Sequence, residues 1–280
     1  MFLLNGQSTG SIDILDRGLH YGDGLFETLA IIDQQPLCWD KHLQRLLSGC
    51  IRLKIDFDDV DILKSEVSSL CKTINNHSER AILKITITSG KGGRGYKRGN
   101  AGVKPTRLLA IHPWPDYPDN YSTEGIQAHL CSTRIGHSPE LAGIKHLNRL
   151  EQVLARNEWE NTDIMEGLML DIDANVIAGT MSNLFAIYPD KKLLTPDIGL
   201  CGIEGIVRQY ILDNSTEFGY QNEIAKLSLD DIYSASELFF CNSIAGIMPV
   251  KQLADHKYYS QANANEIKQF LISRSVIAPS

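Results

Sequence analysis

The pattern of hydrophobic and polar residues predicts both strands and helices in the first third of the chain. Residues 1–4 and 26–32 have strand-forming compositions, and in 81–88 two sets of residues alternate regularly. Two other segments repeat their apolar residues every three or four positions, which indicates helices with one buried face. Asp40 is expected to cap the first of these helices. The apolar positions are Leu43, Leu46, Leu47 and Cys50 in the first segment, and Val60, Leu63, Val67, Leu70, Cys71 and Ile74 in the second.

A proline-rich segment, PWPDYPDN, follows at residues 113–120. Proline fixes φ and lacks a backbone N–H, so three prolines so close together exclude a helix or a central strand. The sequence therefore predicts a linker over 113–121. It would join a small N-terminal α/β domain (1–112) to a larger C-terminal α/β domain (122–280).

The C-terminal part mixes strand and helix patterns without strict βαβ alternation. That order disfavours a doubly wound nucleotide-binding fold and favours an α+β protein built from two α/β domains. The predicted strands are 125–133, 165–172, 176–178, 184–188, 192–195 and 238–241, and the predicted helices are 147–154, 205–216 and 266–273.

Composition and charge exclude several classes of protein. The chain of 280 residues is 43% hydrophobic and 22% charged, as expected of a soluble globular protein. A net charge of −7 argues against nucleic-acid binding. The six cysteines form no Cys-x-x-Cys pair and the histidines show no ligand spacing, so we expect reduced thiols and no metal site. No signal peptide or membrane span is recognisable, which predicts a cytoplasmic protein with no membrane partner.

Lys145 is the strongest candidate for covalent chemistry. It lies between a loop containing Pro139 and Gly143 and the helical pattern that follows. A lysine amine held at such a junction can condense with an aldehyde to form an imine. Most lysines lie on the protein surface. The position of Lys145 alone therefore does not establish covalent chemistry, and other motifs of the chain must support it.

Several motifs, in order along the chain, resemble one family. Residues 141–152, LAGIKHLNRLEQ, are similar to the lysine-bearing segment of the 4-amino-4-deoxychorismate lyases, which belong to the pyridoxal-phosphate (PLP) enzymes of fold type IV. Branched-chain and D-amino-acid aminotransferases share that fold. The Lys145 segment and the GGRGY loop favour the lyases. The other motifs are DRG (16–18), YGDGLFET (21–28), HLQRL (42–46), GGRGY (92–96), SNLF (182–185), GIEGIVR (202–208) and MPV (248–250).

The resemblance implies PLP as the cofactor and assigns residues to it. Lys145 would form the imine, and a helix start would bind the phosphate through its unpaired N–H groups. From the residues alone, ordinary structural roles explain the same positions equally well. Gly205 could be a plain helix start, Arg45 a solvated arginine on a helix, and Ser243 a residue that forms a turn. The implied phosphate-binding residues are Arg45, Gly205, Ile206, Val207, Asn242 and Ser243.

The position implied for the partner of the ring nitrogen departs from the family. Relatives carry a glutamate five residues before the asparagine of the NLF motif, and this chain has Ala178 there. A neighbouring acid or water could replace the carboxylate, the ring could work neutral, or the protein could be a catalytically impaired PLP-binding relative. Aromatisation of the product drives a lyase reaction, so the loss of this carboxylate is tolerated better by a lyase than by an aminotransferase.

The resemblance also implies a substrate and a reaction. The lyase converts 4-amino-4-deoxychorismate to 4-aminobenzoate and pyruvate in folate biosynthesis, with Lys145 removing a proton and Lys145 or Thr28 protonating the leaving group. A D- or branched-chain amino-acid aminotransferase is the nearest alternative. Family members are homodimers, so a homodimer is expected. The residues expected to line the substrate pocket are Arg94, Tyr96, Tyr21, Phe26 and Arg107.

Overall fold

A computed structural model describes residues 1–74, 80–99, 103–118 and 120–279. The sequence predicts a glycine-rich loop from Gly90 to Gly102, around the GGRGY motif, and its last residues (100–102) lie outside the described residues, as does Asp119 of the predicted linker. The model combines helices with two β-sheets, which confirms the α+β prediction.

The chain divides into two compact units, which are described separately below. The first contains residues 1–115 and 144–148, and the second contains 116–143 and 149–280. The first long segment thus ends inside the predicted linker. The short segment that carries Lys145 groups with the first unit, which the sequence pattern does not indicate.

The first unit is an antiparallel sheet covered by helices. The strand order is β1-β5-β4-β2-β3. Strand β4 has the predicted limits, whereas helix α1 is not predicted by any apolar period. The elements are β1 (Phe2–Leu4), α1 (Arg17–Tyr21), β2 (Gly24–Ile32), β3 (Gln35–Pro36), α2 (Trp39–Arg52), α3 (Val60–Cys71), β4 (Ala81–Thr88) and β5 (Thr106–Pro113).

The core of the first unit forms between one face of β2 and the apolar faces of α2 and α3. Leu25, Leu29 and Ile31 point into it together with the predicted helix positions, so the helical period correctly identifies the buried faces. The predicted cap Asp40 is wrong: Cys38 occupies the N-cap position of α2 with φ of 51°, and Asp40 lies in the first turn.

The second unit contains a mixed sheet in the order β11-β10-β9-β12-β13-β6-β7-β8, with β14 paired to β13. Parallel pairing joins β10 to β11, β13 to β6 and β6 to β7. The elements are α4 (Tyr121–Glu124), β6 (Ile126–Ile135), α5 (Leu150–Arg156), β7 (Ile164–Asp171), β8 (Val176–Gly179), β9 (Asn183–Tyr188), β10 (Lys192–Pro196), α6 (Ile206–Asn214), β11 (Gln221–Ala225), α7 (Leu229–Ser234), β12 (Glu237–Asn242), β13 (Gly246–Leu253), β14 (His256–Lys257) and α8 (Ala262–Ser273).

Alternate residues of this sheet enter two apolar clusters. Leu168 and Leu170 belong to the larger cluster, while Met169 between them belongs to a smaller one with Trp159 and Ala178. The alternation is that of a strand whose two faces are both buried. Such strands have nearly continuous apolar sequences, as β7 and β9 do.

All six cysteines are free thiols in the structure. Burial raises the pKa of Cys50, Cys131, Cys201 and Cys241 to about 12. These thiols are therefore protonated and unreactive near neutral pH. Among the helices that the structure describes, none has the length and apolar composition required to cross a membrane.

Candidate active site

Lys145 is fixed in the first unit by backbone pairing with the start of β2. The N–H of Phe26 donates to the carbonyl of Lys145 at 3.0 Å, and the N–H of Leu147 donates to the carbonyl of Gly24 at 3.0 Å. The Lys145 side chain is half-buried, and its Nζ lies 4.3 Å from the centroid of the Phe26 ring. The amine is thus held against an aromatic wall.

Thr28 and Lys84 lie on the same side of the sheet as Phe26. Side chains two residues apart on a strand share a face, so Thr28 follows Phe26 on β2. Lys84 pairs with Thr28 across β2 and β4, and its Nζ lies 5.5 Å from the Phe26 ring centroid. Two amines therefore lie near the Phe26 ring, and the hydroxyl proposed for proton transfer is on the same face of the sheet.

On the opposite face of β2, Glu27 binds two side chains of α2. Its carboxylate accepts hydrogen bonds from Arg45 Nε at 2.8 Å, Arg45 Nη2 at 2.6 Å and His42 Nδ1 at 2.7 Å. Burial opposes ionisation of Glu27, but the positive charge and hydrogen bonds of Arg45, together with the hydrogen bond from His42, lower the pKa of Glu27 to about 2. This Glu27–His42–Arg45 cluster orients Arg45, the predicted phosphate ligand.

The charge state of His42 follows from the same surroundings. Burial lowers its pKa, and the positive charges of Arg45 and Lys145 act in the same direction, against the carboxylate of Glu27. His42 is therefore a neutral imidazole near pH 7, donating through Nδ1 to Glu27.

Glu27→Gln is expected to flatten the acid dependence of stability. Because the pKa of Glu27 is lowered from 4.5 to about 2 in the folded protein, its ionised form stabilises the fold above pH 4.5, and this contribution is lost as the pH falls toward 2. Over that range the wild-type free energy of unfolding should fall by about 3 kcal/mol more than that of the variant. Urea unfolding at stepped pH measures the difference.

The matched control for this prediction is Asp61→Asn, which removes a carboxylate that is 99% exposed on α3. It should keep the wild-type slope. If Glu27→Gln also kept the wild-type slope, the stabilising role of the ionised Glu27 would be contradicted.

Of the predicted substrate residues, Tyr21, Tyr96 and Arg94 lie at the glycine-rich loop. The Gly95 N–H donates to the Tyr21 hydroxyl at 3.2 Å, and the Tyr21 and Tyr96 ring centroids are 5.5 Å apart. Arg94 is exposed and makes no hydrogen bond or ion pair with any described residue. Its guanidinium is therefore available for an anion.

Arg107 does not suit its predicted role as a substrate ligand. It is buried on β5, where its Nε and Nη2 bind the carboxylate of Glu66 and its Nη1 donates to Asp59 at 3.0 Å. Two protein carboxylates thus already occupy this guanidinium. These contacts indicate that Arg107 has a structural role, in which it links β5 to α3.

In the second unit, the start of α6 has the features of an anion site. Gly205 is the N-cap and supplies no side chain, so side-chain capping of the first-turn N–H groups is absent here. A Cβ at Gly205 would lie 1.9 Å from Asn183 Oδ1, so only glycine fits. Ile206 and Val207, the next predicted phosphate contacts, are buried through their side chains and can act only through backbone N–H groups.

The segments that lead to Lys145 and to Gly205 pair with each other in the second unit. The N–H of Gly143 donates to the carbonyl of Gly202 at 3.0 Å, and the N–H of Glu204 donates to the carbonyl of Gly143 at 3.1 Å. Gly143 precedes Lys145 by two residues, and Glu204 directly precedes Gly205.

Asn242 and Ser243 lie in the turn between β12 and β13. The Asn242 Oδ1 accepts from the N–H groups of Ile244 and Ala245 at 2.9 and 2.7 Å, which makes Asn242 a turn-forming residue. Its amide oxygen is therefore committed to the protein, whereas its NH₂ group is the part suited to an anion. Ser243 is half-buried.

Ala178 lies on β8 among apolar neighbours. It pairs with Met169 and belongs to the cluster of Trp159 and Ile177. The nearby acid Glu166 is committed elsewhere: its carboxylate accepts from the N–H and hydroxyl of Thr180 and from the hydroxyl of Ser182 at 2.7 Å. Glu166 thus fixes the turn before the NLF motif.

Three potential metal ligands from separate loops come together in the second unit, although sequence spacing indicates no such cluster. Donor atoms of His137, Asp171 and Cys201 lie within 4.8 Å of one another. His137 Nε2 is 2.9 Å from Asp171 Oδ2, and Asp171 also accepts from Asn175. The hydrogen bonds that Asp171 makes with His137 and with Asn175 explain why these side chains lie together.

Sequence reasoning missed the roles of Arg17, Glu27, His42 and Glu166. The signal available for Glu27 is a carboxylate in the middle of an apolar strand, which requires a buried partner. His42 and Arg45, three residues apart on one helix face, are the matching partners. No local pattern identifies Arg17, because its partners are backbone carbonyls of a distant loop.

A half-buried lysine amine whose backbone is fixed by strand pairing is suited to covalent catalysis. The sequence profile of the family described as amino-transferase class IV matches residues 24–253, and the chain belongs to that family. Within it, the chain is similar to an aminodeoxychorismate lyase from Vibrio harveyi, with 35% identity over 256 residues that cover 91% of this chain and 92% of the relative.

Two further comparisons place the chain among its relatives. It matches the crystal structure of 4-amino-4-deoxychorismate lyase from Pseudomonas aeruginosa with a TM-score of 0.91, 37% identity and 98% coverage of each chain. It is 27% identical to a D-alanine aminotransferase from Bacillus licheniformis, over 90% of this chain and 87% of the relative. These comparisons confirm the resemblance to the lyases found from the motifs.

Proposed function

We propose that the protein is a PLP-dependent lyase that converts 4-amino-4-deoxychorismate to 4-aminobenzoate and pyruvate, a step of folate biosynthesis. The observation that carries the proposal is the position of Lys145, whose Nζ lies 4.3 Å from the Phe26 ring centroid on the face of β2 that also carries Thr28. The similarity to lyases at 35% and 37% identity supports this reaction over transamination.

Each unit contains residues that suit part of PLP. The start of α6, whose N-cap Gly205 makes no side-chain capping bond, suits a phosphate, and so does Arg45 with its guanidinium oriented by Glu27. Asn242 and Ser243 are the remaining proposed phosphate contacts. Lys145 would hold PLP before the substrate arrives, and the cofactor, once joined to the substrate nitrogen, would supply an electron-withdrawing ring that acidifies the carbon bearing that nitrogen.

Side chains of the first unit carry out the proton transfers and bind the substrate. Lys145, as a neutral amine, accepts the proton from the carbon bearing the nitrogen, and Lys145 or Thr28 donates a proton to the departing enolpyruvyl group. The phenyl ring of Phe26 and the ring of Tyr21 form walls, while Arg94 and Tyr96 bind the substrate carboxylates. The products together contain all the atoms of the substrate, so no co-reactant is required.

A homodimer is proposed on the basis of an exposed apolar helix face. On α5, Leu150, Val153 and Leu154 are 76%, 50% and 62% exposed, although their spacing is that of a buried face. Contiguous exposed apolar side chains of this kind are typical of subunit interfaces. We further propose a cytoplasmic location and no nucleic-acid or membrane partner.

Leu154→Glu is expected to weaken the dimer at least roughly 100-fold, because association would bury an unpaired carboxylate. Sedimentation velocity over a concentration series measures the dissociation constant. The control Leu154→Met keeps the apolar side chain and should stay dimeric. A wild-type protein that sediments as a monomer at all concentrations would contradict the proposal.

The proposed reaction is tested by incubating the purified protein with PLP and 4-amino-4-deoxychorismate, and separately with D-alanine and 2-oxoglutarate. We expect 4-aminobenzoate and pyruvate in equal amounts from the first mixture and slow or undetectable transamination in the second. Transamination without 4-aminobenzoate would favour the aminotransferase. Cofactor absorbance without either activity would indicate the impaired relative, which Ala178 keeps open as an alternative.

A further inference from the structure

Arg17 is buried in α1 and holds the backbone of the glycine-rich loop. Its Nε donates to Asp23 Oδ2 at 2.8 Å, its Nη1 to the carbonyl of Gly95 at 3.0 Å and its Nη2 to the carbonyl of Tyr96 at 2.8 Å. The side chain is only 5% exposed. One guanidinium thus binds a carboxylate and two successive carbonyls just after Arg94.

Asp23 joins Arg17 to a second arginine at the far end of the loop. Arg98 binds both oxygens of Asp23, with Nε at 3.0 Å from Oδ2, and its Nη1 donates to the carbonyls of Leu53 and Lys54. Although burial opposes ionisation, hydrogen bonds from Arg98, Ser89 and Arg17 hold the pKa of Asp23 far below its ordinary value. Asp23 therefore stays ionised and keeps both arginines in place.

Further backbone contacts fix the first half of the loop against α1. The Arg17 N–H donates to the carbonyl of Gly90 at 3.0 Å, and the Gly92 N–H donates to the carbonyl of Leu15 at 3.1 Å. A Cβ at Gly92 would lie 2.5 Å from Arg17 Cδ, so the loop approaches the arginine as closely as glycine permits. The loop is anchored on both sides of Arg94, whose own side chain is exposed.

We propose that Arg17 is a positioning residue that fixes the loop so that Arg94 meets a carboxylate of the substrate. This inference rests on the proposed function, because it takes Arg94 as the carboxylate ligand. Three bonds at fixed angles to three different acceptors need a planar guanidinium, and a lysine ammonium cannot reproduce them. Arg17 acts on the substrate through the position of Arg94 and does not touch the substrate itself.

The test combines Arg17→Lys, Arg94→Ala and the double variant. In Arg17→Lys, hydrogen exchange of the peptide 90–99 should be at least about tenfold faster than in the wild type. KM should rise roughly threefold to tenfold while kcat stays within about twofold, since the loop still reaches the substrate but with less order. Arg94→Ala alone should raise KM about 10- to 100-fold, the equivalent of one hydrogen bond to a charged group.

The double variant distinguishes positioning from an independent effect. If Arg17 acts through Arg94, adding Arg17→Lys to Arg94→Ala raises KM no further, and the two changes are non-additive. The matched control is Lys97→Gln, which removes an exposed charge from the same loop and should leave exchange and KM unchanged. If Arg17→Lys does not fold, Arg98→Gln is expected to give the same pattern from the more exposed end of the loop.

Two results would overturn the inference: wild-type exchange in a folded Arg17→Lys protein, or additive effects on KM in the double variant. Absence of 4-aminobenzoate formation by the wild type would overturn the proposed function instead. The exchange measurement would then decide by itself whether Arg17 orders the loop.

Discussion

Lys145→Ala is expected to lower lyase activity by at least about 10³-fold and to remove the near-visible absorbance of the PLP-loaded protein. Both effects have one cause, because the same amine is proposed to bind the cofactor aldehyde and to move the proton. The backbone pairing of Lys145 with Phe26 does not involve the side chain, so the variant should keep its fold. Circular dichroism and an absorbance spectrum after PLP addition measure the two outcomes.

A lysine beside the same ring provides the control for this experiment. The Nζ of Lys84 lies 5.5 Å from the Phe26 ring centroid, compared with 4.3 Å for Lys145. Lys84→Ala should keep the absorbance, because its amine is not the proposed attachment point. Retained absorbance and turnover in Lys145→Ala would refute the assignment of that residue.

Ala178→Glu is expected to raise the transamination rate of D- or branched-chain amino acids by about 10- to 100-fold, the equivalent of one hydrogen bond to a charged group. The family resemblance implies a glutamate at this position that keeps the cofactor ring nitrogen protonated. Ala178 instead has Met169 and Ile177 as neighbours, and Glu166 is bound to Thr180. Restoring the carboxylate should strengthen the ring as an electron sink.

The lyase rate should change less, because formation of an aromatic product already drives that reaction. Ala178→Gln has nearly the same size without the charge, and it should give no gain in transamination. The ratio of the two activities in each variant is the quantity to compare. No gain in a folded, PLP-loaded Ala178→Glu protein would contradict the explanation of Ala178 as the missing nitrogen partner.

The spacing of apolar residues correctly predicted those helices and strands that depend on the local sequence. Strand β4 has the expected limits, and α2 and α3 bury the expected apolar residues, because one face of each meets the core of the same unit. The α5 pattern shows the limit of this reasoning. Leu150 and Leu154 have the spacing of a buried face but are exposed in the single chain, so a periodic pattern identifies an apolar face without showing what, if anything, covers it.

The assignment of the candidate site residues depends on the motifs. Lys145, Arg45 and Gly205 are implied by family resemblance, and the structure shows which neighbours hold each of them in place. Arg107 had the right charge for a substrate ligand, but its ion pairs with Glu66 could not be foreseen, because they join β5 to a helix some forty positions earlier. Long-range pairs of this kind leave no local pattern in a sequence.

The attachment of PLP to Lys145 is tested most directly by reducing the PLP-loaded protein with borohydride and locating the modified peptide by mass spectrometry. Reduction makes the bond between the cofactor aldehyde and a protein amine permanent. We predict a single pyridoxyl group on Lys145 and unmodified Lys84. A pyridoxyl group on another lysine, or no modification of a protein that has bound PLP, would contradict the proposed site and the chemistry derived from it.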